Sequence, residues 1–160
     1  MSEDALQALV DRAAISDVVV RYATGLDRRD WSAFRSVFTD EIEMDFESVG
    51  IPAGRVSADA WVADARALFA GFDATQHQSS NHVFDLRGDE AICISSMQAE
   101  HFVGEERWTI GGYYTNELVR TAGGWKIHGL ILTVTWQRGN REVPRLARRR
   151  SRGRSAEDRA

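Results

Sequence analysis

The sequence predicts an α+β fold, with helices first and a mostly antiparallel sheet after them. Three observations carry this reading. Apolar residues recur at spacings of three and four up to about residue 69, strand-like runs begin near residue 75, and short turn segments separate those runs. Because few helices must cover a long twisted sheet, the expected solution is a strongly curved sheet wrapped over the helical layer.

The elements follow in order. Leu6, Leu9, Val10, Ala13, Ala14, Val18 and Tyr22 form the stripe of an amphipathic helix over residues 3–26. Asp30 is placed to cap a second helix by accepting its free backbone N–H groups, and Trp31, Phe34, Val37 and Phe38 supply its inward side. A short strand is expected over 41–47. Gly50–Gly54, with two glycines and a proline, reads as a loop. Ser57 then caps a third helix whose stripe is Trp61, Ala65, Leu68 and Phe69. Strands are predicted over 76–86, 91–103, 108–120 and 125–137. The hairpin-type links between them, around Gly88, Gly104 and Gly123, make consecutive strands antiparallel neighbours.

At 160 residues the chain has the size of one domain. Its net charge of −4 hides an uneven distribution: residues 141–160 hold eight arginines against three acidic residues, so this segment carries +5 and the remainder −9. We read residues 1–140 as the domain and 141–160 as a basic, disordered tail. The acidic body argues against a broad nucleic-acid footprint. The single cysteine, Cys93, excludes an internal disulfide framework and fits a reducing compartment. No apolar run approaches the ~20 residues that span a bilayer, and the acidic, polar start MSEDALQALVDR is unlike a secretory signal. A cytoplasmic protein without membrane attachment is expected.

Four histidines can be weighed singly. Strand alternation places His77, Ser79, Asn81 and Val83 on one face and His82 on the other. His77, with polar neighbours on its face, is a candidate base. His101 shares a face with Cys93, Ser95, Met97 and Ala99, small and apolar as a cavity lining would be; a hydrogen-bonded core histidine is the plainer alternative. His128 fits either core or surface. A carboxylate complements a histidine base by fixing its tautomer and stabilising the imidazolium. Asp27 is the best candidate, because an acid at a helix C-terminus opposes the helix dipole and needs another interaction to hold it there. No glycine-rich phosphate loop, nucleophile elbow or HExxH pair occurs, so no metal site is predicted.

The segments DRAAISDVVVRYATGLDRRDWSAFRSVFTDEIEMDF, TQHQSSNH, AEHF and YYTNELVRTAGGWKIHGL resemble the SnoaL-like branch of the nuclear transport factor 2 superfamily, a cone-shaped fold, over residues 3–138. The spacing of Tyr22, Asp27 and His77 is similar to the subset with scytalone dehydratase, bile-acid dehydratase and hexachlorocyclohexane dehydrochlorinase. That resemblance implies a cofactor-independent lyase, or an isomerase, acting on a small apolar cyclic or polyketide-like molecule. His77 would be the base and Asp27 its partner, with Tyr22 and His101 donating hydrogen bonds. Asn81, Trp31, Phe34, Val83 and Met97 would contact substrate. A homo-oligomer is expected. The cation that some of these enzymes carry on the last strand is missing here, where 129–135 holds only Gly, Leu, Ile, Thr and Val. Cyclases, epoxide hydrolases and non-catalytic support subunits share the fold, so fold alone does not select among them.

Overall fold

The computed structural model describes residues 2–157, with side chains described through residue 153. Helices α1 (Glu3–Arg28) and α2 (Trp31–Ser36) lead into β1 (Phe38–Phe46), a 3₁₀ turn (Glu47–Val49) and β2 (Ile51–Ser57). Helix α3 (Ala58–Phe69) follows, then β3 (Ala74–Arg87), β4 (Glu90–Val103), β5 (Glu106–Thr121), β6 (Gly124–Gly139) and α4 (Val143–Glu157). The six strands form one curved sheet in the order β2-β1-β6-β5-β4-β3. Every neighbouring pair is antiparallel except β1 and β6, which run parallel. This is the α+β cone that the sequence predicted.

The caps are where the sequence places them. Asp30 accepts from the Ala33 N–H at 2.9 Å and Ser57 from the Ala60 N–H at 3.2 Å, each satisfying a donor that the first helical turn leaves open. Arg29 ends α1 in the left-handed conformation, φ 57°. The chain can then turn at once into α2, which lies so close that a Cβ on Gly25 would meet the Phe34 backbone.

The inward stripe of α1 differs from the expected one. Leu6, Leu9 and Val10 are about half exposed, while Asp11, Ile15, Val18, Val19, Tyr22 and Leu26 face the core. A count of apolar residues misses this because a charged group occupies one buried position. Asp11 accepts from Arg120 Nη1 and Nη2, at 2.8 and 2.9 Å, and from the Trp125 Nε1–H at 3.0 Å, tying α1 to β5 and β6. Hydrogen bonding by Arg120 outweighs the opposing effect of burial and holds the Asp11 carboxyl down at about 2. A depressed folded-state pKa contributes stability that is complete above the unfolded value near 3.8 and lost as pH falls through about 2. The difference corresponds to about 2 kcal/mol. Denaturant titrations across pH 2–5 should show this slope in the wild type and its loss in Asp11→Asn.

Three further differences have physical reasons. The stretch expected as a loop, Gly50–Gly54, lies from residue 51 onward in β2, at the sheet edge, where Pro52 breaks no inner ladder. Phe38 opens β1 instead of closing α2. The segment read as a disordered tail forms α4, with Val143 and Ala147 fully buried and Arg150 paired with Asp73 at 2.7 Å. Of its buried positions among the described residues, Val143, Ala147 and Ser151, only two are apolar, too few among the arginines to show as periodicity. They nevertheless seat α4 so closely that a Cβ at Gly71 would collide with the Ala147 carbonyl. Residues 158–160 of that segment lie outside the described residues.

Candidate active site

The concave side of the sheet and the helices enclose a cavity of about 340 Å³. Its walls are mainly apolar, from Leu26, Phe34, Phe46, Trp61, Phe69 and Leu132 among others; Tyr22, His77, His101 and Tyr114 also face it. This mixture of apolar surface with a few convergent polar groups is what a small-molecule site requires.

Asp27, in the last turn of α1, and His77, near the start of β3, meet beside this cavity. His77 Nδ1 lies 2.7 Å from Asp27 Oδ1, and the His77 backbone N–H donates to Asp27 Oδ2 at 2.6 Å. Thr75 Oγ1 donates to Asp27 Oδ1 at 2.9 Å and itself receives Arg29 Nη1 at 2.9 Å. Burial pulls the Asp27 carboxyl upward, but the hydrogen bonds and charge of His77, with Thr75 behind them, prevail and hold it below its ordinary value. An ionised Asp27 accepts from Nδ1–H, so the lone pair of neutral His77 sits on Nε2, the nitrogen left for the cavity. Phe69 stacks on the ring at 5.8 Å between centroids, fixing its plane.

His101, on β4, sits edge-on to His77 with ring centroids 5.3 Å apart and packs against Trp108 at 5.0 Å and Phe72 at 5.1 Å. Burial first, and the nearby His77 second, push its pKa down to about 3, so the ring is neutral at physiological pH. Its Nδ1 is buried without a hydrogen-bond partner. Tyr22 and Tyr114 form a second polar pair, centroids 5.5 Å apart. Burial raises both phenols, Tyr22 well above its usual value and Tyr114 to about 12, so both remain protonated donors.

The structure thus brings Asp27, His77, His101, Tyr22 and Phe34 together and separates the other expected contacts. Asn81 takes a left-handed φ of 53°, and the pairing of β3 with β4 shifts register between Ser80 and Val83. This bulge reverses the alternation beyond residue 80. Asn81 and Val83 therefore face outward, Val83 63% exposed, whereas His82 turns inward and bonds Ser16 and Ser79 at 3.0 and 3.2 Å. Trp31 packs edge-on against Phe34 and Phe69 behind the cavity wall. Met97 is absent from this lining and borders a neighbouring recess of about 10 Å³. Sequence reasoning missed Thr75, which the period of two places on the face of His77, and Tyr114, which no local pattern marks.

A model of the SnoaL-like domain family matches residues 7–131, most of the chain. This chain belongs to the SnoaL-like domain family. Similar to it is an uncharacterised protein of Mycobacterium tuberculosis, 27% identical over a 135-residue alignment that covers 80% of this chain and 88% of that protein. Among solved structures, a Kribbella flavida protein is 37% identical with a TM-score of 0.82, covering 86% of this chain and 99% of the other. A hexachlorocyclohexane dehydrochlorinase is 25% identical, TM-score 0.74, covering 84% and 92%. A Novosphingobium aromaticivorans protein named for scytalone dehydratase shares the SnoaL-like fold at 23% identity, TM-score 0.74, over 83% and 89%. The family match and the dehydrochlorinase neighbour support an enzyme function at the level of the family.

Proposed function

We propose that the protein is a cofactor-independent lyase, acting on a small, largely apolar cyclic molecule by proton abstraction at a carbon next to an activating group. The observation that carries this reading is the 2.7 Å Asp27–His77 contact, which leaves Nε2 to an apolar cavity of about 340 Å³. His77 Nε2 takes the proton, and Asp27 stabilises the imidazolium that forms. The C–H electron pair becomes the new C=C bond, and the leaving group departs with its own bonding pair. When that group is hydroxide, the imidazolium returns the proton to it, so the sum is loss of water. Tyr114, which accepts the Tyr22 hydroxyl and keeps its own O–H free, and the neutral His101 ring can donate hydrogen bonds to the developing negative charge, effective in a site that excludes water. Isomerisation or cyclisation would begin with the same abstraction.

Exposed Ile94, Tyr113 and Trp136 on β4, β5 and β6 support a homo-oligomer that uses the outer sheet face. No described helix is long and apolar enough to cross a membrane.

The test is a panel of cyclic β-hydroxy ketones and β-halo compounds incubated in D₂O with wild type and His77→Ala. Mass spectrometry reads loss of water, loss of hydrogen halide or deuterium exchange at the activated carbon. At least one of these should occur in wild type and depend on His77. Binding of panel members without any of them would favour a binding protein.

A further inference from the structure

The interior of the cavity is apolar around the Asp27–His77 pair, but its lining also includes two exposed, oppositely charged residues from different helices, Asp64 of α3 and Arg148 of α4. Among the described residues neither side chain forms a hydrogen bond or an ion pair, with each other or elsewhere. Nearby arginines of α4 are engaged: Arg145 pairs with Glu142 and Arg150 with Asp73. The backbone beneath the two charged groups is fixed, because Ala65 of α3 and Ala147 of α4 are buried next to them. Trp61, one turn before Asp64, lines the same wall, and its Nε1–H has no partner.

A rim with one hydrogen-bond acceptor, Asp64, and one donor, Arg148, has no net charge to offer an ion. A carboxylate attracted by Arg148 is repelled by Asp64, and an ammonium meets the reverse. A hydroxyl suits both, since it donates through its O–H and accepts through its lone pairs. We infer that Asp64 and Arg148 are specificity residues that select a hydroxyl-bearing ring, held with its hydroxyl at the rim and its apolar body toward His77. This deepens the proposed function and rests on that cavity being the substrate site.

The test reads binding rather than turnover, with 2-naphthol, 2-methylnaphthalene and 2-naphthoate as size-matched probes in isothermal titrations. Wild type should prefer 2-naphthol to each of the other two by about fivefold or more, the scale of one or two net hydrogen bonds. Arg148→Gln should remove most of the preference over 2-methylnaphthalene. Asp64→Asn should raise 2-naphthoate affinity relative to 2-naphthol severalfold. Arg149→Gln, an exposed neighbour outside the cavity lining, should change nothing, which separates the rim from the general charge of α4. His77→Ala should leave the preference intact even where it abolishes turnover, so failure of the base mechanism and failure of the rim are distinguishable. Equal or undetectable binding of the three probes by wild type, or unchanged ratios in both rim variants, would overturn the inference.

Discussion

His77→Ala is expected to lower turnover by about a hundred- to ten-thousandfold, the range that general-base catalysis supplies. The fold should survive the change. Asp27 keeps the Thr75 hydroxyl at 2.9 Å and the residue 77 backbone N–H at 2.6 Å, neither of which needs the imidazole. The variant loses ring packing against Phe69 and His101, so a modest fall in melting temperature should accompany it. Near-ultraviolet circular dichroism and binding of an apolar probe would establish that the cavity persists. Wild-type turnover in His77→Ala would remove the histidine from the reaction.

Asp27→Asn is expected to produce a loss of comparable size by a different route. Asp27 accepts on both oxygens: Oδ1 takes the His77 ring and Thr75, and Oδ2 takes the residue 77 backbone N–H. An amide replaces one acceptor by a donor. If the NH₂ faces the backbone N–H, two donors oppose each other; if it faces Nδ1, the imidazole must move its proton to Nε2 and give up the lone pair that the cavity needs. Either orientation spoils the site without removing volume. The kinetic signature should be a fall in kcat at nearly unchanged KM, since no apolar wall residue is altered.

How far the sequence revealed this site depended on the range of each signal. Asp27 and His77 were legible because an acid placed against a helix dipole and a histidine at a strand start are local anomalies, and the family resemblance joined them across fifty residues. The caps Asp30 and Ser57 were legible for the same reason. Asn81 and Val83 were misplaced because a single left-handed residue reverses every later face of β3, and Asn81 carries no strong local mark of a bulge. The stripe of α1 was misread because Asp11 is buried by Arg120 and Trp125, partners more than a hundred residues away. Helix α4 was read as a disordered tail, since Val143 and Ala147 were outnumbered by arginines. The rim residue Arg148, which with Pro144 brings α4 to the cavity, was overlooked with it.

The proposed base requires that Asp27 hold His77 as the tautomer with its proton on Nδ1 and a free lone pair on Nε2. Ring ¹⁵N chemical shifts of ¹⁵N-histidine-labelled protein, with His77 assigned by comparison with His77→Ala and observed in its neutral form, measure this directly. A protonated Nδ1 and a bare Nε2 are expected in wild type, with the pattern lost in Asp27→Asn. A proton on Nε2 with a bare Nδ1 in the wild-type protein would contradict it.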